Sequence, residues 1–214
     1  PQYTQIVVES TKVIAMDQKT RDTIDKYLSS HTGSIRTSDF RAEGLHNTYL
    51  TELVQEGVLV RMKPGLYLKV EDQTASGFYE IQIAMPDAVI CLASALSFYE
   101  LTSYEPPSVH IAIPRDDRTR PQEFPPVKKF SFGGTRYTLG LIKVDIEGHT
   151  ISMYDREKTL CDSIRYRRVL GQDIVNEAIR KYLASRYTNN DKLIEYSRVL
   201  KSEGSVLNHL RLLS

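Results

Sequence analysis

Apolar positions recur at helical spacing through the first third of the chain. Ile24, Tyr27 and Leu28 fall at i, i+3 and i+4, and Asp17 stands where a helix would be capped, which predicts a helix ending near Ser29. Thr37 precedes a short helix over 38–42 with Phe40 turned inward, and Gly44 supplies a permissive turn. A third helix follows over 46–55, with Tyr49, Leu50, Leu53 and Val54 as its apolar stripe and Gly57 as its stop. The segments 58–61 and 66–69 flank a Met62-Lys63-Pro64-Gly65 turn and read as a two-stranded hairpin. Helix, short helix, glycine turn, helix and hairpin, in that order, predict a winged helix-turn-helix over 17–72. Ahead of it, residues 1–16 hold two apolar triplets, an N-terminal arm or an added strand with no assigned function.

After a polar connector over 71–77 the pattern changes. A mostly apolar, alanine-rich stretch over 86–99 predicts a buried helix, and Ser94 among its small residues predicts close helix packing. Alternation over 109–113, 127–132, 137–141, 142–146 and 150–154 predicts strands, with turns at Gly133-Gly134 and Glu147-Gly148. Helices are predicted from Asp155, over 173–184 and over 191–213, the last interrupted at Gly204. The fold class expected is α+β: a winged helix-turn-helix followed by a mixed or antiparallel sheet with packed C-terminal helices, over 78–214. A short Gly-containing connector predicts that few buried contacts cross between the two parts, with an interdomain interface as the alternative.

The formal charge of the 214-residue chain is +1, and residues 1–75 carry 9 Lys and Arg against 10 Asp and Glu, so any phosphate contact must come from a local patch. With Leu50, Leu53 and Val54 facing inward, His46, Asn47, Thr48 and Thr51 fall on the outer face or start of the third helix, where a recognition helix meets base edges. Asn47 is the candidate for direct readout, since an Asn can bond adenine bidentately; Thr48 and Thr51 suit phosphate or a thymine methyl. The alternative is that Asn47 and Thr48 only cap the helix. Arg36, Arg41, Arg61 and Lys63 are candidate phosphate contacts, the last two on the wing.

A second polar cluster, Asp155-Arg156-Glu157-Lys158 with Asp162, Arg165, Arg167 and Arg168, reads either as a solvated helix of local ion pairs or as a surface for an acidic or phosphate-bearing partner. On the second reading Arg165, Arg167 and Arg168 are the partner-binding residues.

No glycine-rich phosphate loop, metal-spaced cysteine pair or His-Glu-x-x-His motif occurs, so neither a cofactor nor a metal is expected, and no enzyme activity. Cys91 and Cys161 sit in apolar settings and are expected to be buried and reduced. There is no bilayer-length apolar run and no secretion-type leader, which predicts a cytoplasmic protein without membrane contact.

Four stretches resemble one family: 44–59 continuing into Arg61-Met62-Lys63-Pro64-Gly65-Leu66-Tyr67, the stretch 90–99, Val109-His110-Ile111-Ala112-Ile113-Pro114-Arg115, and 154–162. In this order they resemble the AbiEi-type antitoxins, transcriptional regulators of bacterial phage-defence type IV toxin-antitoxin systems. The resemblance implies a DNA-binding antitoxin that represses its own operon through an inverted-repeat operator, with a second domain that counters a nucleotidyltransferase-like toxin. The competing reading is a stand-alone regulator whose C-terminal domain senses a ligand or a protein partner. A monomer or a weak dimer is compatible with either.

Overall fold

The computed structural model describes residues 16–119 and 123–213, so the N-terminal arm, apart from Met16, lies outside the described residues, as does Arg120. Asp17 caps α1 (Gln18–Ser30), accepting from the Thr20 amide and the Thr20 hydroxyl, each at 2.9 Å. Its inner face is Ile24 and Leu28. Strand β1 (Ile35–Arg36) leads directly into α2 (Thr37–Ala42), which buries Phe40. Helix α3 (Thr48–Gln55) starts two residues later than its spacing predicted and buries Leu50 and Leu53. Strands β2 (Leu59–Lys63) and β3 (Leu66–Lys69) form the expected hairpin, and β1 pairs with β3 to give a three-stranded antiparallel sheet ordered β1-β3-β2. The Thr37 amide donates to Gly65 O at 3.1 Å, which ties the hairpin tip to the start of α2.

Beyond a 3-10 turn at Val70–Asp72, the connector is clamped rather than loose: the buried Glu80 carboxylate accepts from the Thr74 amide (2.5 Å) and hydroxyl (2.7 Å). Glu80 lies in α4 (Phe78–Ala84). The stretch expected as one buried helix divides into β4 (Val89–Ile90) and α5 (Leu92–Phe98). A two-residue strand buried on both faces has the same apolar signature as a turn of buried helix, so periodicity could not separate them.

Strands β5 (Val109–Pro114) and β6 (Val127–Phe132) follow. Of the strand expected over 137–141, residues 137–140 are instead the end of a helical turn, α6 (Thr135–Thr138), and the loop after it, and Leu141 opens the next strand. That loop passes so close to the next helix that a Cβ on Gly140 would lie 2.6 Å from Lys158 Cβ, and Gly140 has φ +69, so only glycine fits. Strands β7 (Leu141–Ile146) and β8 (His149–Tyr154) close a five-stranded mixed sheet ordered β6-β5-β4-β8-β7. The pairs β5·β6 and β4·β8 are parallel; β4·β5 and β7·β8 are antiparallel. The chain ends in α7 (Arg156–Arg165), α8 (Arg167–Leu170), α9 (Gln172–Ala184), α10 (Asn190–Val199) and α11 (Glu203–Leu213). The interruption expected at Gly204 falls at Lys201, φ +54, and Gly204 sits inside the first turn of α11.

One apolar cluster joins Leu92, Phe132, Tyr154, Leu160 and Ile164 to the C-terminal helices. A second holds Ile90, Ile111, Ile151 and Met153 of the sheet, Phe78, Ile81 and Ala84 of α4, and Met62, Leu66 and Leu68 of the β2–β3 hairpin. Contrary to the expectation from the connector, buried contacts therefore do cross between the two parts. Cys91 and Cys161 are both buried and unbridged, and burial pushes both thiols up, Cys161 to about 12. Ser94 is buried as expected and accepts from the His110 amide of β5 at 2.9 Å.

His110 is 5% exposed, and its Nδ1 has no partner among the described residues. Burial, aided by Lys128, lowers its pKa from 6.5 to about 4. The unfolded chain then binds a proton that the folded chain refuses between about pH 6.5 and 4. This contribution is complete above pH 6.5 and is lost as pH falls, by up to about 1.4 kcal/mol per pH unit. Thermal melts should show the midpoint falling between pH 6.5 and 5, with a shallower fall in His110→Leu; equal slopes would overturn the assignment.

Candidate nucleic-acid interface

The inner side of α3 is set by Leu50 and Leu53, which leaves Thr48 and Thr51 exposed on the other. Leu45, buried in the preceding turn, donates its amide to Phe40 O at 3.3 Å, so the α2–α3 turn is anchored to the core at both ends. Asn47 occupies the N-cap position with helical angles, φ −63 and ψ −20, and its side chain makes no cap hydrogen bond. Instead the His46 ring takes that part: Nδ1 accepts from the Thr48 amide at 3.3 Å and lies 2.9 Å from Thr48 Oγ1. Accepting from the amide leaves the ring proton on Nε2.

Asn47 Oδ1 accepts from Arg41 Nε at 3.1 Å, which joins the outer end of α2 to the start of α3. A carbonyl oxygen has two lone pairs, so this bond orients the amide while leaving one acceptor site and both Nδ2 donors for a base edge. Arg41, His46, Asn47, Thr48 and Thr51 thus form one exposed or half-exposed polar ridge. The Arg41–Asn47 link across the turn, six positions apart, has no local sequence signal and was not anticipated.

The remaining candidates stand differently. Arg36 is exposed at the end of β1. Arg61 Nε lies 3.4 Å from Glu123 Oε1, and the Glu123 amide donates to Met62 O at 2.7 Å, so a loop far along the chain neutralises this arginine. Lys63 donates to Ala84 O, the end of α4, at 2.5 Å. Among the described residues no hydrogen bond or ion pair joins Arg36, Arg61 or Lys63 to the ridge on α3.

The polar run at α7 is neither a solvated helix nor an open surface. Glu157, Lys158, Thr159, Asp162 and Ser163 are buried, because α7 is enclosed by α5, α9, α10 and the loop at Gly140. Asp155 caps the helix at the Lys158 amide (2.9 Å) and also receives Lys192 (3.0 Å) and the Tyr196 hydroxyl (3.1 Å). Glu157 binds Lys192 at 3.3 Å and accepts from the Tyr182 hydroxyl at 3.1 Å. The two carboxylates raise the Lys192 pKa against the opposing effect of burial.

In the core, the Lys158 ammonium is paired with Asp162, whose other oxygen lies 3.3 Å from Arg136. The ammonium also sits 4.2 Å from the Tyr154 ring centroid and 4.9 Å from that of Phe132. Burial shifts both partners toward neutrality, Lys158 downward and Asp162 upward. Of the expected partner-binding arginines, Arg165 and Arg168 are exposed, while Arg167 is half-buried and donates to Ile164 O at 3.0 Å, capping the end of α7.

Residues 22–68, running from α1 to β3, match the model of the family AbiEi_4, described as a transcriptional regulator, AbiEi antitoxin. The match contains the α3 ridge and supports a regulatory, antitoxin-type role. No curated protein matches the chain. Among the described residues there is no group of three His, Cys, Asp or Glu able to hold a metal ion, and no helix is long and apolar enough to cross a membrane.

Asp162→Ala would leave a fully buried ammonium without its carboxylate, and a loss of about 3–5 kcal/mol is expected in urea denaturation. Replacing both partners, as Lys158→Met with Asp162→Leu, should cost clearly less. If the single and double variants melt alike, the pair is not a coupled unit.

Proposed function

We propose that the N-terminal module is a winged helix-turn-helix that binds double-stranded DNA. Helix α3 enters the major groove as recognition helix, and β2–β3 is the wing. The observation that carries this reading is the ridge on α3, where Asn47 is held by Arg41 and relieved of capping by His46, within the segment that matches the regulator family. The module has no basic excess, so its affinity rests on a few placed groups. Arg36 and Arg41 are the first phosphate contacts, because both are exposed. Arg61 would have to exchange Glu123 for phosphate, and Lys63 would have to leave Ala84.

The protein acts, on this reading, as a DNA-binding antitoxin that represses its own operon at an inverted repeat and counters a nucleotidyltransferase-like toxin through the second part. Arg165 and Arg168 are the assigned toxin contacts. A ligand-sensing regulator is the second reading, favoured by a cleft of about 390 Å³ between the two parts, lined by Thr32, Gly33, Lys69, Asp72, Tyr79 and His149.

Titration of the protein against its promoter fragment at several salt concentrations tests the first claim. Asn47→Ala should cost roughly 1–3 kcal/mol on the operator and flatten preference at one base pair. Arg36→Ala should weaken all duplexes alike and lower the salt slope by about 1. Equal affinity of the parent protein for promoter and scrambled duplex would sink specific repression.

Growth of cells carrying an adjacent toxin gene tests the second. The full protein should rescue growth, and the double charge reversal Arg165→Glu with Arg168→Glu should abolish rescue while leaving operator affinity unchanged. Rescue by both would remove these arginines from the toxin contact; a harmless neighbouring gene with intact operator binding would select the ligand-sensing regulator.

A further inference from the structure

Among the described residues, strand β7 is the last in the five-stranded sheet and has no strand on its outer side. Its residues are Leu141-Ile142-Lys143-Val144-Asp145-Ile146, of which Leu141 and Ile142 remain 38% and 37% exposed, and Lys143 and Asp145 are exposed. An uncovered edge of this length is a template for a further strand.

The register with β8 shows which backbone groups point outward. The hairpin turns through Glu147 (φ +54) and Gly148 (φ +80), the two positive φ values of a type I′ turn, and the pairs beside it are Ile146↔His149, Asp145↔Thr150 and Val144↔Ile151. In such a hairpin the residues flanking the turn exchange both backbone bonds, and bonding then alternates along the strand. Ile142, Val144 and Ile146 therefore bond toward β8, leaving the N–H and C=O groups of Leu141, Lys143 and Asp145 directed outward.

We propose that β7 is a homodimer interface, in which it pairs antiparallel with the β7 of a second copy about a two-fold axis at Val144. That register places Val144 opposite Val144, Ile142 opposite Ile146, and Lys143 opposite Asp145 in both symmetry-related halves. The outward backbone groups of Lys143 and Asp145 then fall in hydrogen-bonded pairs, and each lysine meets a carboxylate. Self-complementarity in apolar contact, in charge and in backbone bonding converges on one register, which is what identifies the occupant as a second copy. Lys143 forms no ion pair among the described residues, and Asp145 makes only a 3.3 Å bond to the Gly148 amide. The opposite edge, β6, offers no such match: Lys128 and Lys129 stand together on a strand without an acidic residue.

Sedimentation of the full chain tests this without DNA, so the outcome is separate from that of the regulatory reading. The parent protein should dimerise reversibly. Lys143→Asp alone sets carboxylate against carboxylate in both halves, and Asp145→Lys alone sets ammonium against ammonium; each should raise the dimer dissociation constant by about tenfold or more. The double variant, with both changes, should dimerise like the parent. An equimolar mixture of the two single variants should form heterodimers, since every cross-pair is then of opposite charge. Recovery on mixing cannot come from a variant that fails to fold. A parent protein that stays monomeric at all concentrations, single variants that dimerise normally, or a mixture that fails to recover would each overturn the proposal.

Discussion

Met62, Leu66 and Leu68 leave the β2–β3 hairpin and enter an apolar cluster that belongs equally to α4 and to the sheet strands carrying Ile90, Ile111, Ile151 and Met153. A module of this size buries too little surface to be more than marginally stable by itself, and its own cluster, built on residues such as Ile24, Phe40, Leu50 and Leu53, is small. The hairpin supplies the difference by serving two cores. One side of its sheet closes over α1 and α3 through Leu59, and its other apolar residues seat on α4. Truncating a side chain in such a seam leaves a cavity, which costs about 2–5 kcal/mol. The contacts Lys63 to Ala84 and Arg61 to Glu123 follow from this docking and draw charge away from the hairpin's outer face.

Charge is used in a second way inside the larger part. Lys158, Asp162 and Arg136 lie among Phe132 and Tyr154, where an unpaired ion would be untenable. Such a group adds little net stability over an apolar equivalent. What it does is demand one arrangement: α7 must meet the Gly140 loop closely enough for Arg136 and Asp162 to touch, and only a residue without a Cβ permits that approach. Asp155 and Glu157 then draw α10 in through Lys192 and Tyr196, so the C-terminal helices are assembled around the first turn of α7.

On the N-terminal module the candidate base-reading groups lie at the start of α3, where the amide of Asn47 is oriented by Arg41 and the helix end is capped by its neighbour His46. A module with balanced charge gains little from long-range attraction, so placement of these donors and acceptors matters more than net charge. The family match over residues 22–68, which includes these groups, supports a regulatory, antitoxin-type role.

Much of the N-terminal module was legible from local pattern. The Asp17 cap, the stripes of α1 and α3 and the Pro64-Gly65 turn are signals within a few residues of the structure they produce. The Glu147-Gly148 turn and the burial of both cysteines were equally readable. Three features were decided only by the tertiary structure. Val89 and Ile90 became a central strand because β5 and β8 flank them, while alone they look like buried helix. Residues 137–140 became a helical turn and loop because Tyr154 and α7 take their carbonyls and their space: the Tyr154 hydroxyl donates to Tyr137 O, the Asp155 amide to Gly140 O. The charges of α7 went inward because their partners Arg136, Tyr182 and Lys192 arrive from distant segments. Local sequence determines periodicity and turn chemistry, since those depend on neighbours along the chain; whether a charge is solvated, or a short apolar run extends, depends on which groups the folded chain brings beside it.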